Sequence, residues 1–137
     1  MLRGPATTNF WTDDLDAAKR WYTELLGIAP YFERPGPDGA PAYCEFRVGD
    51  HEHELGLVHR RFAPDGEASG VGGAILYWHV DDLDGTLAKL LSMGAKEHQP
   101  RIARGDRFVT ASVVDPFGNI LGIMTNPHYL ATLSVSR

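Results

Sequence analysis

The stretch Asp13-Asp14-Leu15-Asp16 decides the fold, because the same four residues return as Asp81-Asp82-Leu83-Asp84, 68 positions later. In each copy the stretch precedes an apolar stripe of helical period, which ends at Gly27 in the first copy and at Gly94 in the second. A carboxylate at such a start caps the free N–H groups of a helix. A repeat of this kind predicts two copies of one structural module.

The segments between the helical stripes indicate β-strands. Leu55-Gly56-Leu57 and its echo Leu121-Gly122-Ile123 mark the last strand of each copy. Each copy therefore reads strand, helix and three strands, with strands near residues 6–12, 29–34, 42–48, 52–59, 74–80, 96–102, 107–114 and 119–124. The predicted fold class is α+β, with two tandem βαβββ modules that share a core and form an open, barrel-like sheet bearing a cleft. The predicted organisation is one domain of 137 residues, with modules at 5–60 and 73–126, a glycine-rich linker at 61–72 and a tail at 127–137 that acts as a cap or loose end.

Composition excludes several classes of function. A hydrophobic content of 43% and a formal net charge of −5 are ordinary for a globular protein, and no cluster of Lys and Arg predicts a nucleic-acid surface. Cys44 is the only cysteine, so no intrachain disulfide is expected. The sequence begins without the apolar segment of a signal peptide, and no run of residues is long enough to span a bilayer. These features predict a cytoplasmic protein that binds neither membranes nor nucleic acids.

Two motifs identify a family. The first helical segment reads Asp14-Leu15-Asp16-Ala17-Ala18-Lys19-Arg20-Trp21-Tyr22, and a later turn reads Asp115-Pro116-Phe117-Gly118-Asn119. Together with the repeated helix starts, these motifs resemble the vicinal oxygen chelate superfamily, which includes glyoxalase I, bleomycin-resistance proteins and extradiol dioxygenases. The resemblance covers about residues 6–124. It implies that, in relatives that use a metal, side chains from the first and last strands of each module hold a divalent ion.

The positions implied for those ligands are Thr7, Gly56, Ile75 and Gly122. None of them carries a side chain of the usual His, Gln or Glu type, although a shift of two residues in the fourth strand would place Glu54 in the site. The sequence therefore predicts that the usual metal centre is absent and that no cofactor is bound. The two glycines leave two interpretations open, which are a roomier pocket and a relief of strand curvature or close packing.

Strand alternation assigns residues to the inner face of the sheet, because residues i and i+2 share one side. If Thr7 faces inward, Phe10 packs beneath the first helix, and if Ile75 faces inward, Trp78 packs beneath the second. Aromatic walls with a few polar anchors are typical of small-molecule sites. The alternative is a barrel core filled by the same side chains. The predicted ligand pocket consists of Thr7, Asn9, Trp11, Glu54, Gly56, Val58, Ile75, Tyr77, His79, Ile120, Gly122 and Met124.

A few other residues are weaker candidates for chemistry. Glu54 and His79 are the candidate catalytic residues for a reaction without metal, although an isolated histidine is more often structural. The pair His51 and His53 offers two metal ligands, too few for a closed or catalytic site. Cys44 lies in a strand pattern and is expected to pack rather than react, and Arg107 lies near a solvated edge where it could bind an anionic group.

Three functions remain open. The first is a binding protein that sequesters a small organic compound or antibiotic without chemistry, as bleomycin-resistance relatives do. The second is an enzyme of the same superfamily, such as a lyase, isomerase or dioxygenase, acting on a small oxygenated substrate. The third is a structural dimer without a ligand. The missing metal ligands favour the first over metal-dependent glyoxalase activity, and the resemblance implies a homodimer.

Overall fold

The computed structural model describes residues 1, 3, 5–63 and 70–135. The chain divides into two compact units, Met1–Ala68 and Ser69–Arg137. The first contains β1 (Thr7–Thr12), α1 (Leu15–Leu26), β2 (Phe32–Pro35), β3 (Pro41–Val48) and β4 (His53–His59), followed by a short 3-10 turn at Arg60–Phe62. The second contains β5 (Tyr77–His79), α2 (Leu83–Ser92), β6 (Lys96–Gly105), β7 (Phe108–Val114), β8 (Ile120–Thr125) and α3 (Pro127–Val135). None of the described helices is long and apolar enough to cross a membrane.

Both units have the same topology. The strand orders are β1-β4-β3-β2 and β5-β8-β7-β6, with the first strand of each unit parallel to the last and the other neighbours antiparallel. The predicted fold class, α+β with two βαβββ modules, is confirmed. The helix of each unit packs against the central strands of its own sheet, because one face of a mixed sheet must be covered by an apolar stripe.

The two repeated aspartates cap the two helices. Asp14 Oδ1 accepts a hydrogen bond of 3.0 Å from Ala17 N, and Asp82 Oδ1 accepts one of 3.0 Å from Gly85 N. The first helix ends at Gly27, which has a left-handed φ of 69°. The repeated Asp-Asp-Leu-Asp stretch therefore gives both helices the same N-cap hydrogen bond.

The core of the first unit lies between α1 and one face of its sheet. Leu15, Ala18 and Tyr22 form the buried stripe of α1. The ring centroid of Phe10 on β1 lies 6.0 Å from that of Tyr22, so Phe10 packs beneath the helix as the alternation predicted. The other fully buried large side chains on this face are Phe46, Leu55 and Leu57.

The second core is built in the same way. Leu83 and Leu90 are the buried residues of α2. They face strands β7 and β8, whose buried apolar residues on that side of the sheet are Ala111, Val113, Leu121 and Ile123. Leu90 is fully buried, and truncating a leucine of this kind to alanine typically costs about 2–5 kcal/mol.

Two strands are shorter than predicted. β2 begins at Phe32 rather than near residue 29, after Pro30, which lacks the N–H that a sheet ladder requires. β5 covers only Tyr77–His79, although Leu76 O accepts from Gly122 N and Val80 N donates to Met124 O on either side of it. Of the predicted linker, residues 64–69 lie outside the described part of the chain.

Of the two alternatives predicted for the tail, a cap or a loose end, the loose end was wrong, because residues 127–135 form helix α3. Asn126 Oδ1 accepts from the backbone N–H groups of His128 and Tyr129, at 2.9 and 3.1 Å, and so caps the helix. Pro127 occupies the first helical position, where its missing N–H costs nothing. The dipeptide Asn126-Pro127 is therefore a helix start.

Candidate functional site

The open face of the first sheet, opposite α1, collects most of the polar side chains that the sequence placed in a pocket. The strand register aligns Asn9 with Gly56, Gly56 with Glu45, and Glu45 with Phe32. Paired residues point to the same side of a sheet. The six predicted residues of the first unit therefore share one face: Thr7, Asn9, Trp11, Glu54, Gly56 and Val58.

A polar cluster occupies the middle of this face and consists of Thr7, Asn9, Tyr43, Glu45 and Glu54. Thr7 Oγ1 donates a hydrogen bond of 2.7 Å to Glu54 Oε2. The Tyr43 hydroxyl donates a short hydrogen bond to Glu45 Oε1. Two carboxylates thus lie on neighbouring strands, each fixed by a hydroxyl donor.

Glu54 affects the ionisation of two of its neighbours, Glu45 and Tyr43. Partial burial raises the pKa of Glu45, and the negative charge of Glu54 raises it further, while Arg47 opposes the shift. Burial and the charge of Glu54 also raise the pKa of the Tyr43 hydroxyl. The cluster therefore favours the protonated forms of Glu45 and Tyr43, or a ligand that brings hydrogen-bond donors or positive charge.

Sequence reasoning missed Tyr43 and Glu45. The family resemblance directs attention to the first and last strands of each module, and these residues lie on the third. Their signal was present, since polar Tyr43 and Glu45 alternate with buried Ala42, Cys44 and Phe46 along β3. Aromatic side chains flank the cluster as well, with the Phe32 ring 6.2 Å from that of Tyr43.

Gly56 does not open a pocket. A Cβ at Gly56 would lie 2.3 Å from Asn9 Oδ1 and 2.7 Å from the Tyr43 hydroxyl. A Cβ at Gly122 would lie 2.7 Å from Tyr77 Cδ1 and 2.9 Å from Ile75 Cγ2. The space over both glycines is filled by neighbours, so of the two interpretations the structure supports close packing.

The predicted residues of the second unit likewise meet on one face of their own sheet. Tyr77 pairs with Gly122 and His79 with Met124, while Ile120 lies two residues before Gly122 on the same strand. The Tyr77 hydroxyl donates to Gln99 Oε1 at 3.2 Å, a contact that no local pattern in the sequence predicts. Whether the twelve predicted residues line one common pocket stays a prediction.

His79 makes structural contacts. Its Nδ1 accepts a hydrogen bond of 3.0 Å from Asn126 N, and its ring stacks on Tyr129 with centroids 4.9 Å apart. Nε2 lies 3.4 Å from Asp81 Oδ1, within ion-pair range but without the geometry of a hydrogen bond. These contacts support the structural interpretation of His79 over a role as general base.

The family's metal does not fit the residues present. Gly56 has no side chain to offer as a ligand, and the hydroxyl of Thr7 donates to Glu54. Within residues 1, 3, 5–63 and 70–135, no group of three or more His, Cys, Asp and Glu side chains is placed to hold an ion. That the protein works without a metal stays a prediction.

The structure also describes the surroundings of the His51 and His53 pair and of Cys44, the remaining candidates for metal binding and reactivity. His51 and His53 stack with ring centroids 5.9 Å apart at an exposed turn. Cys44 is 1% exposed, and burial raises the pKa of its thiol to about 12. A buried thiol that stays protonated near neutral pH is a poor nucleophile, and the burial of Cys44 confirms that it packs.

The family model of the Glyoxalase/Bleomycin resistance protein/Dioxygenase superfamily matches residues 4–123. The chain belongs to this superfamily. Among curated proteins, none is significantly similar in sequence to the chain.

Solved structures of this superfamily have the same fold. A glyoxalase-related enzyme from Fulvimarina pelagi is 22% identical with a TM-score of 0.71, over 92% of this chain and 90% of that one. A lactoylglutathione lyase from Agrobacterium tumefaciens is 18% identical with a TM-score of 0.68, over 94% and 98%. A glyoxalase/bleomycin resistance protein from Catenulispora acidiphila DSM 44928 is 20% identical with a TM-score of 0.61, over 90% and 98%. At such identities the likeness extends to the fold and leaves the activity open.

Proposed function

We propose that this protein binds and sequesters a small organic molecule at the open face of its first sheet. The polar cluster carries the proposal, because two carboxylates and a phenol are held close together on the face of the sheet opposite the helix-covered core. Glu45 and Glu54 offer hydrogen-bond acceptors, so the cluster suits a ligand that bears N–H or O–H donors. Trp11 and Phe32 on the same face provide apolar surface for the rest of the ligand.

Sequestration is the form of binding that the metal-free donor set supports. The chemistry of metal-using relatives relies on a Lewis acid to stabilise developing negative charge on oxygen. The residues here offer no replacement of that kind, since the cluster itself is acidic. An antibiotic is one class of compound that fits, given that a bleomycin resistance protein is among the similar structures.

Ligand screening by thermal shift, followed by calorimetric titration of the hits, tests the proposal. A specific ligand should bind the wild-type protein saturably and be recovered unchanged. Glu45→Gln and Tyr43→Phe should each weaken binding about 10-fold, the effect of losing one hydrogen bond to a charged group. Glu33→Gln is the matched control, because Glu33 lies on the same sheet but pairs with Lys19 at 2.8 Å. Equal affinities for all four proteins would refute the site.

An enzyme is the second candidate, and the environment of Glu45 favours it. A carboxyl whose pKa is raised by burial, and which accepts from the Tyr43 hydroxyl, is suited to move a proton to or from a bound substrate. Glu45 is a better candidate for this role than Glu54 or His79, since His79 Nδ1 already accepts from Asn126 N. Turnover of a bound compound, lost in Glu45→Gln while binding survives, would establish the enzyme and reject pure sequestration.

Assembly and location are further parts of the proposal. We expect a homodimer, as the family resemblance implies, and a cytoplasmic protein, as the single buried cysteine permits. Size-exclusion chromatography with light scattering measures the molar mass of the protein in solution. A monomer at micromolar concentration would contradict the dimer. Fractionation of the producing cells tests the location.

A further inference from the structure

The second unit contains a cavity of about 390 Å³ that shares no residue with the polar cluster and reaches the face of Tyr77 and Gly122 only through His79. The cavity lies where β5 and β8 end, where β6 turns into β7 and where α3 begins. Val80, Val109 and Leu130 contribute apolar walls. Its polar lining includes Arg107 and Asp81. A site with apolar walls and few polar groups has the make-up of a small-molecule pocket.

Arg107 holds an unfavourable backbone conformation. Gly105 pairs with Phe108, so Asp106 and Arg107 form a two-residue hairpin turn, with φ values of 44° and 66°. Both values are left-handed, which defines a turn whose second position strongly prefers glycine. An arginine there costs stability that a glycine would restore. Strain of this kind suggests that the side chain has a use other than folding.

The Arg107 guanidinium is available for binding. Among the described residues it has no hydrogen-bond or ion-pair partner, whereas two arginines on the preceding strand do. Arg101 Nε donates to Asp84 Oδ1 at 2.8 Å, and Arg104 Nε donates to Thr110 Oγ1 at 3.2 Å. Arg107 is held instead through its backbone, since its carbonyl accepts from Thr125 Oγ1 at 2.8 Å. The strained turn therefore places an unpaired cation at the cavity.

The opposite side of the cavity is formed by His79, Asp81 and the start of α3. His79 is 91% buried at its side chain, and it holds the start of α3 through Asn126 N. The N-terminus of α3 adds the positive end of a helix dipole. Asp81 is the acidic group at the cavity, and its nearly fully exposed carboxylate faces His79 Nε2 at 3.4 Å. A second negative charge on a ligand would meet Asp81.

We propose that this cavity binds a small monocarboxylate with an apolar body. The guanidinium of Arg107 pairs with the carboxylate, and the apolar walls cover the body of the ligand. Asp81 makes a dianion a poorer ligand than a monoanion. This site lies in the second unit and does not depend on the binding function proposed for the first.

A nuclear magnetic resonance titration of the full chain with benzoate tests the site, with benzamide as the neutral analogue and inorganic phosphate as the bare anion. Benzoate should produce saturable shifts in residues 107–109 and 125–130, and benzamide and phosphate should bind at least 10-fold more weakly. Arg107→Gly should reduce benzoate affinity at least 10-fold and raise the melting temperature. Arg104→Gln should retain the affinity, because Arg104 is already paired with Thr110.

Four outcomes would overturn the proposal. They are the absence of saturable shifts with benzoate, equal binding of benzamide, equal binding of phosphate, and a lower melting temperature for Arg107→Gly, which would show that Arg107 serves the fold. Because Arg107→Gly relieves strain, misfolding does not explain a loss of binding if its melting temperature rises. The titrations of Glu45→Gln test the polar cluster of the first sheet separately. The proposal for the cavity and the proposal for the polar cluster can therefore fail independently.

Discussion

The two units share one topology and differ in the side chains that cover their equivalent glycines, Gly56 and Gly122. Gly56 pairs with Asn9 and is covered by the polar groups of Asn9 and Tyr43, whereas Gly122 pairs with Tyr77 and is covered by Tyr77 and Ile75. The strand orders and the N-caps of the two helices are the same, although α1 ends at a left-handed Gly27 and α2 at Met93. The shared topology therefore follows from features that the two copies have in common. We expect ligand binding to depend on the residues that differ between the two units. The following experiments compare the two units in stability and in binding.

The largest expected effect concerns a turn that the first unit lacks. Asp115 is 3% exposed, and its Oδ1 accepts from the backbone N–H groups of Phe117 and Asn119 at 2.9 and 2.8 Å. Asp115→Ala leaves these donors without their acceptor and should cost about 3 kcal/mol of unfolding free energy. Urea unfolding measures it, with Glu24→Ala on the exposed side of α1 as the control. A loss below about 1 kcal/mol would show that water replaces the carboxylate.

Gly122→Ala should have the next largest effect. The added Cβ would lie 2.8 Å from the Leu76 carbonyl oxygen, which belongs to the backbone and accepts from Gly122 N. Relief requires a shift of the β5–β8 pairing, so we expect a loss of about 2 kcal/mol in unfolding free energy. Unchanged stability would mean that β5 moves freely.

The helix caps should respond equally. Asp14 and Asp82 make the same 3.0 Å bond to the third residue of their helices. Asp14→Ala and Asp82→Ala should each cost about 1 kcal/mol of unfolding free energy. A difference of more than about 1 kcal/mol between the two variants would show that the caps are equal only in geometry.

Gly56→Ala should cost less than Gly122→Ala, below about 1 kcal/mol, since its close contacts are side-chain tips that can turn aside. This movement displaces the side chains of Asn9 and Tyr43 from their positions in the polar cluster. The variant should therefore lose affinity for a ligand of the cluster while remaining folded. Paired unfolding and binding titrations measure the two effects. Equal stability losses for the two glycine variants would contradict the comparison.

The smallest effect is the pH dependence of Glu45. Because burial and Glu54 raise the pKa of Glu45, the fold favours its protonated form, and a stability cost appears as the pH rises through that pKa. Glu45→Gln removes the cost and keeps an acceptor for Tyr43. The variant should therefore gain stability over the wild type at pH 7 but not at pH 4, by a few tenths of a kcal/mol. A constant difference at both pH values would show that the carboxyl is fully solvated.

The sequence predicts most of the fold because its signals are local. Helix starts at Asp14 and Asp82, the stop at Gly27 and the burial of Phe10 all follow from capping and alternation, and the structure confirms them. Helix α3 had a local signal too, in the Asn126-Pro127 start, but the region was interpreted as a tail.

The candidate site is less predictable because its contacts are made over long separations. Thr7 and Glu54 meet across 47 positions, and so do His79 and Asn126. The strand register that decides between Glu54 and Gly56 is a property of the assembled sheet, which aligns Thr7 with Glu54. No periodicity within a single segment contains that information.

Strand β6 has a consequence for the protein in concentrated solution. It spans Lys96–Gly105 at one end of its sheet and is mostly exposed, with register shifts at three points along its pairing with β7. Pro100 lacks an N–H for a neighbouring chain, and Arg101 and Arg104 place charge along the same strand. An irregular, charged edge strand of this kind discourages the sheets of two molecules from pairing edge to edge. Replacing Pro100 and Arg101 with valine would remove both obstacles and is expected to increase the tendency of β6 to pair with a neighbouring molecule.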